Sequence, residues 1–385
     1  MNIVADEQIA FVREVFSRIG KVQTLPAGAI TATAVRHADL LIIRSVTKVS
    51  DALLRGSRIR IIGTVTSGID HVDAGALRGR RIKLIRAPGC NARAVAEYVL
   101  AGIIAVAEKK GFVLNGKTIG IIGVGHVGSL VARFCRAMGM KLMLNDPLLA
   151  ARSGIKKHRF KPIAEILNNA DIITLHVPLT TIGRYATRHM VNDEFFARLK
   201  KKAVLINTSR GAVIDENALI RAIRMSKISA LVLDVWEHEP GINRAVLDIA
   251  DIGTQHIAGH SFLGRLRGTA MVYDQFYRVL GLKSSGGWSP LSLAPASRLQ
   301  TVSVTWRENP EEEAIRKLVH KIYDPVSDGR KLRKYLKLPR SEQSRYFERL
   351  RDSYPLRPEF GEIRIACRQC PEGLIKKLTT LGFIV

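Results

Sequence analysis

The chain of 385 residues has only four cysteines, which are too few and too unevenly placed for a disulfide framework. We expect reduced thiols, as in a cytosolic protein. Cys367 and Cys370 form one C-x-x-C pattern, but a zinc site needs a second pair of ligands nearby. We therefore predict two ordinary thiols near a strand end, and no metal site.

Long hydrophobic runs are also missing, since no apolar stretch approaches the ~18 residues that span a bilayer. The chain begins Met1-Asn2-Ile3-Val4-Ala5-Asp6-Glu7, which is acidic at once and lacks a basic and then apolar leader. We expect a soluble protein that is not exported, that stays in the cytoplasm and that has no membrane partner.

Acidic residues are scarce, with 34 Asp and Glu against 60 Lys and Arg and a formal net charge of +26. Such a field attracts nucleic acids and small anions alike. Dedicated nucleic-acid binders usually concentrate their charge on one element, whereas here it is spread along the chain. The pattern favours an anionic small-molecule substrate over specific nucleic-acid binding.

Strand and helix patterns alternate over the first ninety residues and again after residue 115, with one long helix predicted over 91–110. Such alternation is typical of parallel sheets covered on both faces. It predicts an α/β protein with two doubly wound parallel-sheet lobes, the first with a helix over 7–19. The predicted strands are 1–5, 39–44, 58–64 and 82–85, then 118–122, 141–145, 171–176, 203–207, 229–234 and 252–254.

The pattern changes at 283–290, a glycine- and serine-rich stretch that is a good linker candidate. Beyond it, 299–306 and 362–366 are predicted strands, and a helix is predicted to follow Asn309, its N-cap. This small C-terminal α+β module has no obvious catalytic constellation. Its expected role is therefore association.

Predicted strand 118–122 is followed by the G-x-G-x-x-G pattern of Gly123, Gly125 and Gly128, and then by a helix. The glycines allow a tight turn, close approach of a pyrophosphate and close packing of helix on strand. The amides of His126 and Val127 would lie at the helix N-terminus, where the dipole favours an anion. The motif predicts a dinucleotide site; the alternative is a glycine-rich turn that holds no dinucleotide.

Asp146 ends the next predicted strand, about 20 residues after the first glycine of the motif. A carboxylate there accepts hydrogen bonds from the adenosine ribose and repels a 2′-phosphate, which favours NAD over NADP. Because Pro147 follows, the alternative is that Asp146 only caps a turn.

Arg210, Glu239 and His256 follow three successive predicted strands. Ligands of open parallel sheets bind beyond the carboxyl ends of the strands, so we expect these side chains in one region. Oxidation of a secondary alcohol needs a base, and histidine has an ordinary pKa near ~6.5. A carboxylate beside it would hold its tautomer, and an arginine can bind a substrate carboxylate. The pattern predicts that all three residues are catalytic in a dehydrogenase.

Together these motifs resemble the D-2-hydroxyacid dehydrogenases. The resemblance rests on the glycine motif, Asp146, His256 and the segments 176–179, 207–211 and 234–240. It implies that His256 is the acid and base, with Arg210 and Glu239 also catalytic, and that NAD binds in the central lobe. The further cofactor contacts that it implies are Val177, Thr208, Ser209, Arg210, Asp234 and Gly259.

A narrower resemblance is to the branch of that family that oxidises 4-phospho-D-erythronate, and it rests on 44–49, 63–73, 87–91 and the C-terminal module. It implies a product, 3-hydroxy-2-oxo-4-phosphooxybutanoate, on the route to pyridoxal 5′-phosphate. It also implies a homodimer joined by the C-terminal domain. The substrate contacts expected are Ser45, Thr66 and His260, although His260 stands where this branch usually has tyrosine.

The expected domains are a flavodoxin-like substrate-binding lobe over 1–92, completed by 256–284, a Rossmann NAD-binding lobe over 93–255 and a dimerisation domain over 285–385. Two other functions stay open at this point. One is a dehydrogenase for another D-2-hydroxy acid, such as phosphoglycerate. The other is a non-catalytic NAD-sensing regulator on the same scaffold.

Overall fold

The computed structural model describes residues 1–152, 159–282, 289–306 and 310–385. Contacts within the chain divide it into two units, Met1–Asn91 with Ser261–Arg298 and Ala92–His260 with Leu299–Val385. Most of the predicted linker and the predicted N-cap Asn309 lie outside the described residues.

The strands and helices alternate along most of the chain. The strands are β1 (Asn2–Asp6), β2 (Lys21–Leu25), β3 (Leu40–Ile43), β4 (Ile61–Thr64), β5 (Lys83–Arg86), β6 (Thr118–Ile122), β7 (Lys141–Asn145), β8 (Ile172–Leu175), β9 (Ala203–Asn207), β10 (Ile228–Leu233), β11 (Ile252–Gly253), β12 (Gln300–Thr305) and β13 (Ile363–Arg368). The helices are α1 (Val12–Phe16), α2 (Ala32–Val35), α3 (Asp51–Leu54), α4 (Ala74–Gly79), α5 (Ala92–Lys110), α6 (His126–Ala137), α7 (Pro147–Ala150), α8 (Ile163–Asn169), α9 (Asp193–Arg198), α10 (Glu216–Arg224), α11 (Arg244–Ile249), α12 (Phe262–Val279), α13 (Glu311–Ile322), α14 (Pro325–Arg333), α15 (Arg340–Asp352) and α16 (Glu372–Leu381).

The first unit is built on a parallel sheet of order β2-β1-β3-β4-β5, which is the flavodoxin-like order. Side chains of β3 alternate between two cores, with Leu40 and Ile42 on the face that α12 covers and Leu41 and Ile43 on the other. Both faces of the sheet are therefore buried, as its apolar strands predict.

Two elements of the first unit differ from the sequence prediction. Strand β2 was missed because it is an edge strand whose side chains are only partly buried, which weakens the apolar signal. Helix α1 is shorter than predicted, because the Gln8 amide donates to the Asp6 carboxylate (2.9 Å) and Phe11 has a left-handed φ of 54°. Residues 7–11 therefore form turns and not helix.

The second unit contains a parallel sheet of order β11-β10-β9-β8-β6-β7. From β6 the chain passes to β7 on one side and then crosses to β8 on the other. The carboxyl ends of β6 and β8 are thus the point where the strand order reverses, which is where such sheets bind ligands. The predicted fold class, two parallel α/β lobes and a small C-terminal module, is confirmed.

The C-terminal module consists of α13 to α16 and the parallel pair β12–β13. It shares the cores of the second unit: Ile315 and Val319 pack into the cluster that contains α5, and Tyr335 and Phe347 pack into the cluster on the other face of the sheet. The module is therefore attached to the second unit through buried apolar side chains. Within the described residues no helix is long and apolar enough to cross a bilayer.

The cysteines depart from the prediction at one place. The structure joins Cys367 and Cys370 in a disulfide at the end of β13, so the prediction of two ordinary thiols was wrong. Gln369 has a left-handed φ of 59° and turns the chain back, which leaves the two Cα atoms 5.9 Å apart, within the range that a disulfide bridges. Cys90 and Cys135 are buried and form no disulfide in the described part of the chain.

Candidate active site

The glycine-rich turn joins β6 to α6 at the point where the strand order reverses. Gly123 has a φ of +89°, and a Cβ on Gly128 would lie 2.0 Å from the Gly123 carbonyl oxygen, so both positions need glycine. Gly125 precedes α6 as its N-cap, and apart from Gly125 and its two chain neighbours no described residue has an atom within 4 Å of the position where its Cβ would be. The amides of His126 and Val127 begin the helix beside this open position, which fits a pyrophosphate.

Asp146 lies at the carboxyl end of β7, beside the turn. Its Oδ2 accepts the Val124 amide (2.9 Å) and its Oδ1 accepts the Leu149 amide (2.9 Å), which makes it the N-cap of α7. The carboxylate therefore does cap a turn, and it also holds the glycine-rich turn to the next strand. Each carboxylate oxygen has a second lone pair, so the predicted ribose contact stays compatible with this geometry.

The ends of β8 and β9 bring further predicted cofactor residues to this edge. His176 has Nε2 2.9 Å from Thr174 Oγ1 and Nδ1 3.5 Å from Thr208 Oγ1. Burial lowers the pKa of His176 to about 3, so this imidazole is neutral at physiological pH. Val177 lies against the turn, since a Cβ on Gly123 would approach it within 3.0 Å.

Asn207, the last residue of β9, shapes the turn that carries Arg210. Its Oδ1 accepts the amide (3.0 Å) and the hydroxyl (2.8 Å) of Ser209, and its Nδ2 donates to the Arg210 carbonyl (2.9 Å). Gly211 follows where a Cβ would lie 1.8 Å from the Trp236 carbonyl carbon. The Arg210 turn is thus pressed against the segment that leads to Glu239.

Glu239 and His256 form the central pair of the site. Glu239 Oε2 lies 2.8 Å from His256 Nδ1, and Glu239 Oε1 accepts the Trp236 amide (2.8 Å). An ionised carboxylate only accepts hydrogen bonds, so Nδ1 carries the proton and Nε2 of the neutral ring is a proton acceptor. The structure brings these two predicted residues into direct contact.

The charges around His256 favour its protonated form. Burial alone would lower the pKa of His256, but the charge and hydrogen bond of Glu239, with the charge of Asp234, outweigh it, and the pKa is raised. The Arg210 guanidinium lies near enough for its charge to oppose this rise. The pKa of Glu239 is lowered because the favourable effect of His256 exceeds the cost of burial. Arg210, Glu239 and His256 are thus electrostatically coupled.

Asp234 holds the turn on which His256 stands. Its buried carboxylate accepts the Thr254 hydroxyl (2.7 Å) and the amides of Ile257 (2.8 Å) and Ala258 (2.9 Å), while its carbonyl accepts the His256 amide (2.8 Å). Burial raises the pKa of Asp234 to about 6, although the charge of His256 and these hydrogen bonds favour the ionised carboxylate and lower the pKa. The sequence pattern predicts a cofactor contact for Asp234 and does not reveal this supporting role.

The predicted substrate residues belong to both units. Ser45 is exposed after β3, and Thr66 follows β4, the neighbouring strand, so both lie at the carboxyl edge of the first sheet. Thr66 Oγ1 bonds Thr64 Oγ1 (2.7 Å) and donates to the Gly68 carbonyl (2.9 Å). His260 ends the first segment of the second unit, and its ring centre is 6.1 Å from that of Tyr354.

Comparison with known proteins adds two family matches. Residues 91–258 match the D-isomer specific 2-hydroxyacid dehydrogenase, NAD binding domain, and residues 293–382 match a domain of unknown function. The first match spans the glycine-rich turn, Asp146, Arg210, Glu239 and His256.

Relatives match over the full length of the chain. The erythronate-4-phosphate dehydrogenase of Yersinia enterocolitica is 41% identical over 387 residues, covering 100% of this chain and 99% of that protein. The enzyme of the same name from Salmonella arizonae is 38% identical over 383 residues, covering 100% and 98%.

Solved structures are similar over the α/β lobes. The D-lactate dehydrogenase of Aquifex aeolicus, in complex with NAD and lactic acid, is 27% identical with a TM-score of 0.61, covering 73% of this chain and 96% of that chain. The NAD-bound 3-phosphoglycerate dehydrogenase of Entamoeba histolytica has a TM-score of 0.63 at 24% identity, covering 73% and 96%, and shows the shared fold.

Proposed function

The chain belongs to the erythronate-4-phosphate dehydrogenases, within the D-isomer specific 2-hydroxyacid dehydrogenase family, and we propose that it oxidises 4-phospho-D-erythronate to (R)-3-hydroxy-2-oxo-4-phosphooxybutanoate for pyridoxal 5′-phosphate synthesis. It is an NAD-dependent dehydrogenase that acts on a CH–OH group. A cytoplasmic location, where such an enzyme meets its cofactor, is part of the proposal.

His256 is the proposed base. Its Nε2 takes the proton of the C2 hydroxyl while hydride leaves the same carbon, and Glu239 stabilises the imidazolium that forms. Bound NAD supplies the hydride acceptor. The observation that carries this proposal is the 2.8 Å hydrogen bond between Glu239 and His256, because it leaves one ring nitrogen ready to accept a proton.

Arg210 is the residue proposed to bind the substrate carboxylate. A guanidinium binds a carboxylate through parallel N–H bonds and also polarises a forming carbonyl. Ser45, Thr66 and His260 are the proposed substrate contacts outside this group. The proposed cofactor contacts are Gly123, Gly125, His126, Val127, Gly128, Asp146, Val177, Thr208, Ser209, Arg210, Asp234 and Gly259.

A substrate panel tests the proposal. The full chain is incubated with NAD or NADP and with 4-phospho-D-erythronate, 3-phosphoglycerate or D-lactate, and formation of reduced cofactor is followed by absorbance. We expect the highest kcat/KM for 4-phospho-D-erythronate with NAD. A higher value for another hydroxy acid would replace the substrate assignment, and NAD binding without any turnover would favour a regulator.

We also propose that the chain forms a homodimer through the C-terminal module. This proposal is supported by three large apolar side chains of that module that are exposed in the single chain and that a second copy would cover, Ile375, Ile384 and Val385. Light scattering of the full chain should give twice the chain mass, and the double substitution Ile375→Glu with Ile384→Glu should give one chain mass. Val113→Glu, on an exposed residue before β6, is the matched control. A dimer that survives the double substitution would place the contact elsewhere.

A further inference from the structure

Arg357 reaches from the C-terminal module into the interior of the second unit, where its side chain is almost fully buried. Its Nη1 lies 3.3 Å from Glu97 Oε2, and its Nη2 donates to the carbonyls of Ala94 and Ala258, the latter at 3.0 Å. The guanidinium carbon is 4.3 Å from the ring centre of Tyr323. Charge-assisted hydrogen bonds and a ring contact in a buried place hold this guanidinium firmly.

Ala258 belongs to the same turn as His256, and its two backbone groups have different partners. Its amide donates to the Asp234 carboxylate (2.9 Å), and its carbonyl accepts from Arg357 (3.0 Å). Because Asp234 also binds Ile257, the turn is clamped between a carboxylate of the Rossmann lobe and a guanidinium of the C-terminal module.

Helix α5 connects the two sides of this clamp. Glu97 pairs with Arg357 and also accepts the Phe360 amide (2.9 Å). The next residue, Tyr98, has its hydroxyl 2.6 Å from Thr254 Oγ1. The Thr254 hydroxyl hydrogen is already given to Asp234, so Tyr98 is the donor. Two adjacent residues of the buried helix α5 thus support both sides of the clamp: Glu97 pairs with Arg357, and Tyr98 bonds the hydroxyl that donates to Asp234.

The backbone of His256 needs such support. Its φ is +60°, in the left-handed region, which costs a non-glycine residue free energy and persists only where the surroundings hold it. Loss of one side of the clamp would let the turn relax and would lengthen the hydrogen bond between His256 and Glu239. Displacement of a reacting group by about 1 Å can lower the rate by about 100-fold.

We propose that Arg357 is a positioning residue for the dehydrogenase reaction, holding the His256 turn through the Ala258 carbonyl so that His256 stays paired with Glu239. The C-terminal module then contributes to catalysis within its own chain, in addition to any role in association. This inference rests on the proposed function, in which His256 is the base.

The variants are chosen so that folding is preserved. Removing only Arg357 would leave Glu97 as an unpaired buried carboxylate, which is strongly destabilising, whereas removing both charges is often neutral. The test variant is therefore Glu97→Gln with Arg357→Met, and Arg357→Lys is the conservative variant.

The matched control is Glu312→Gln with Arg316→Met. Arg316 also joins the module to the second unit, but it donates to the Phe112 carbonyl (2.7 Å) and pairs with Glu312 (2.6 Å), away from the residues of the clamp. Glu312 in turn accepts the Leu114 amide (2.7 Å). The control thus removes a similar attachment of the module without touching the His256 turn.

The kinetic readouts separate positioning from general damage. In the Glu97/Arg357 double variant we expect kcat to fall by about 10- to 100-fold, NAD affinity to stay unchanged, and the acid limb of kcat/KM to move to lower pH. Arg357→Lys should recover part of kcat, and the control pair should keep wild-type values. Equal losses in the test and control pairs would overturn the inference, because they would show only that the module must be attached.

A second readout does not depend on turnover. The imidazole of His256 is titrated by NMR in the full chain with NAD bound, and its resonance is assigned by its loss in His256→Asn. We expect it to titrate at lower pH in the Glu97/Arg357 double variant than in wild type and in the control. An unchanged titration would overturn the inference even if the enzyme is active. A shifted titration in a protein that does not oxidise 4-phospho-D-erythronate would uphold the positioning role and refute only the substrate.

Discussion

Replacing Glu239 with glutamine removes the negative charge that faces His256 and keeps the size of the side chain. Glu239 Oε2 is 2.8 Å from His256 Nδ1, and Oε1 is 2.8 Å from the Trp236 nitrogen. The glutamine carbonyl oxygen can keep one of these bonds, so the local fold should persist. The main change is electrostatic, and its expected direction is a lower pKa for His256.

The size of the effect follows from the contact and its exposure. An opposite charge within about 4–6 Å moves a pKa by about 1–3 units. The His256 side chain is 42% exposed, so solvent screening places the effect at the lower end, at about one unit. The base must be neutral to accept a proton, so kcat/KM rises with pH through the pKa of His256. Because Glu239 raises that pKa in the wild type, the acid limb should move down by about one pH unit in Glu239→Gln.

The assay is the initial rate of NAD reduction from about pH 5 to pH 9, which spans the range where histidines titrate. The maximal kcat should also fall, on the order of 100-fold, because the imidazolium loses its counter-charge. Glu237→Gln is the matched control, since the Glu237 carboxylate bonds His189 and not His256. An acid limb that stays in place in Glu239→Gln, or moves equally in Glu237→Gln, would refute the reasoning.

Two further predictions concern the cofactor. Gly128→Ala places a methyl group 2.0 Å from the Gly123 carbonyl oxygen, so the turn must open, and NAD affinity measured by fluorescence titration should fall by at least about 10-fold; unchanged affinity would contradict this turn as the cofactor site. Asp146→Asn keeps one side-chain oxygen, which can accept the Leu149 amide or the Val124 amide but not both, so thermal unfolding should show a loss of about 0.5–1.5 kcal/mol. The same substitution should also raise kcat/KM with NADP relative to NAD, and an unchanged ratio would leave Asp146 as a structural cap.

The sequence was informative about side chains that follow the ends of parallel strands. Arg210, Glu239 and His256 follow successive strands, and a parallel sheet brings such positions to one edge, so their grouping was predictable without coordinates. The glycine-rich turn was predictable for a similar reason, since its three glycines have fixed steric roles between one strand and one helix.

Other features depend on contacts that no local pattern encodes. Arg357 and Ala258 are 99 residues apart in the chain, and only the packing of the module on α5 brings them together. The role of Asp234 in holding the His256 turn was hidden because the same residue also fits a cofactor contact. Strand β2 was missed because the side chains of an edge strand are only partly buried. The Cys367–Cys370 bond was missed because it depends on the left-handed backbone of Gln369.

Hydride transfer from the substrate to NAD is tested by following the hydrogen on C2 of the substrate. The full chain and the His256→Asn variant are each given NAD and 4-phospho-D-erythronate deuterated at C2, and the reduced cofactor is analysed by mass spectrometry. We predict one deuterium in the reduced cofactor of the wild type, and a rate lower by about 10²–10⁴-fold in His256→Asn with NAD affinity unchanged. Reduced cofactor without deuterium, or a variant that turns over at the wild-type rate, would contradict the mechanism.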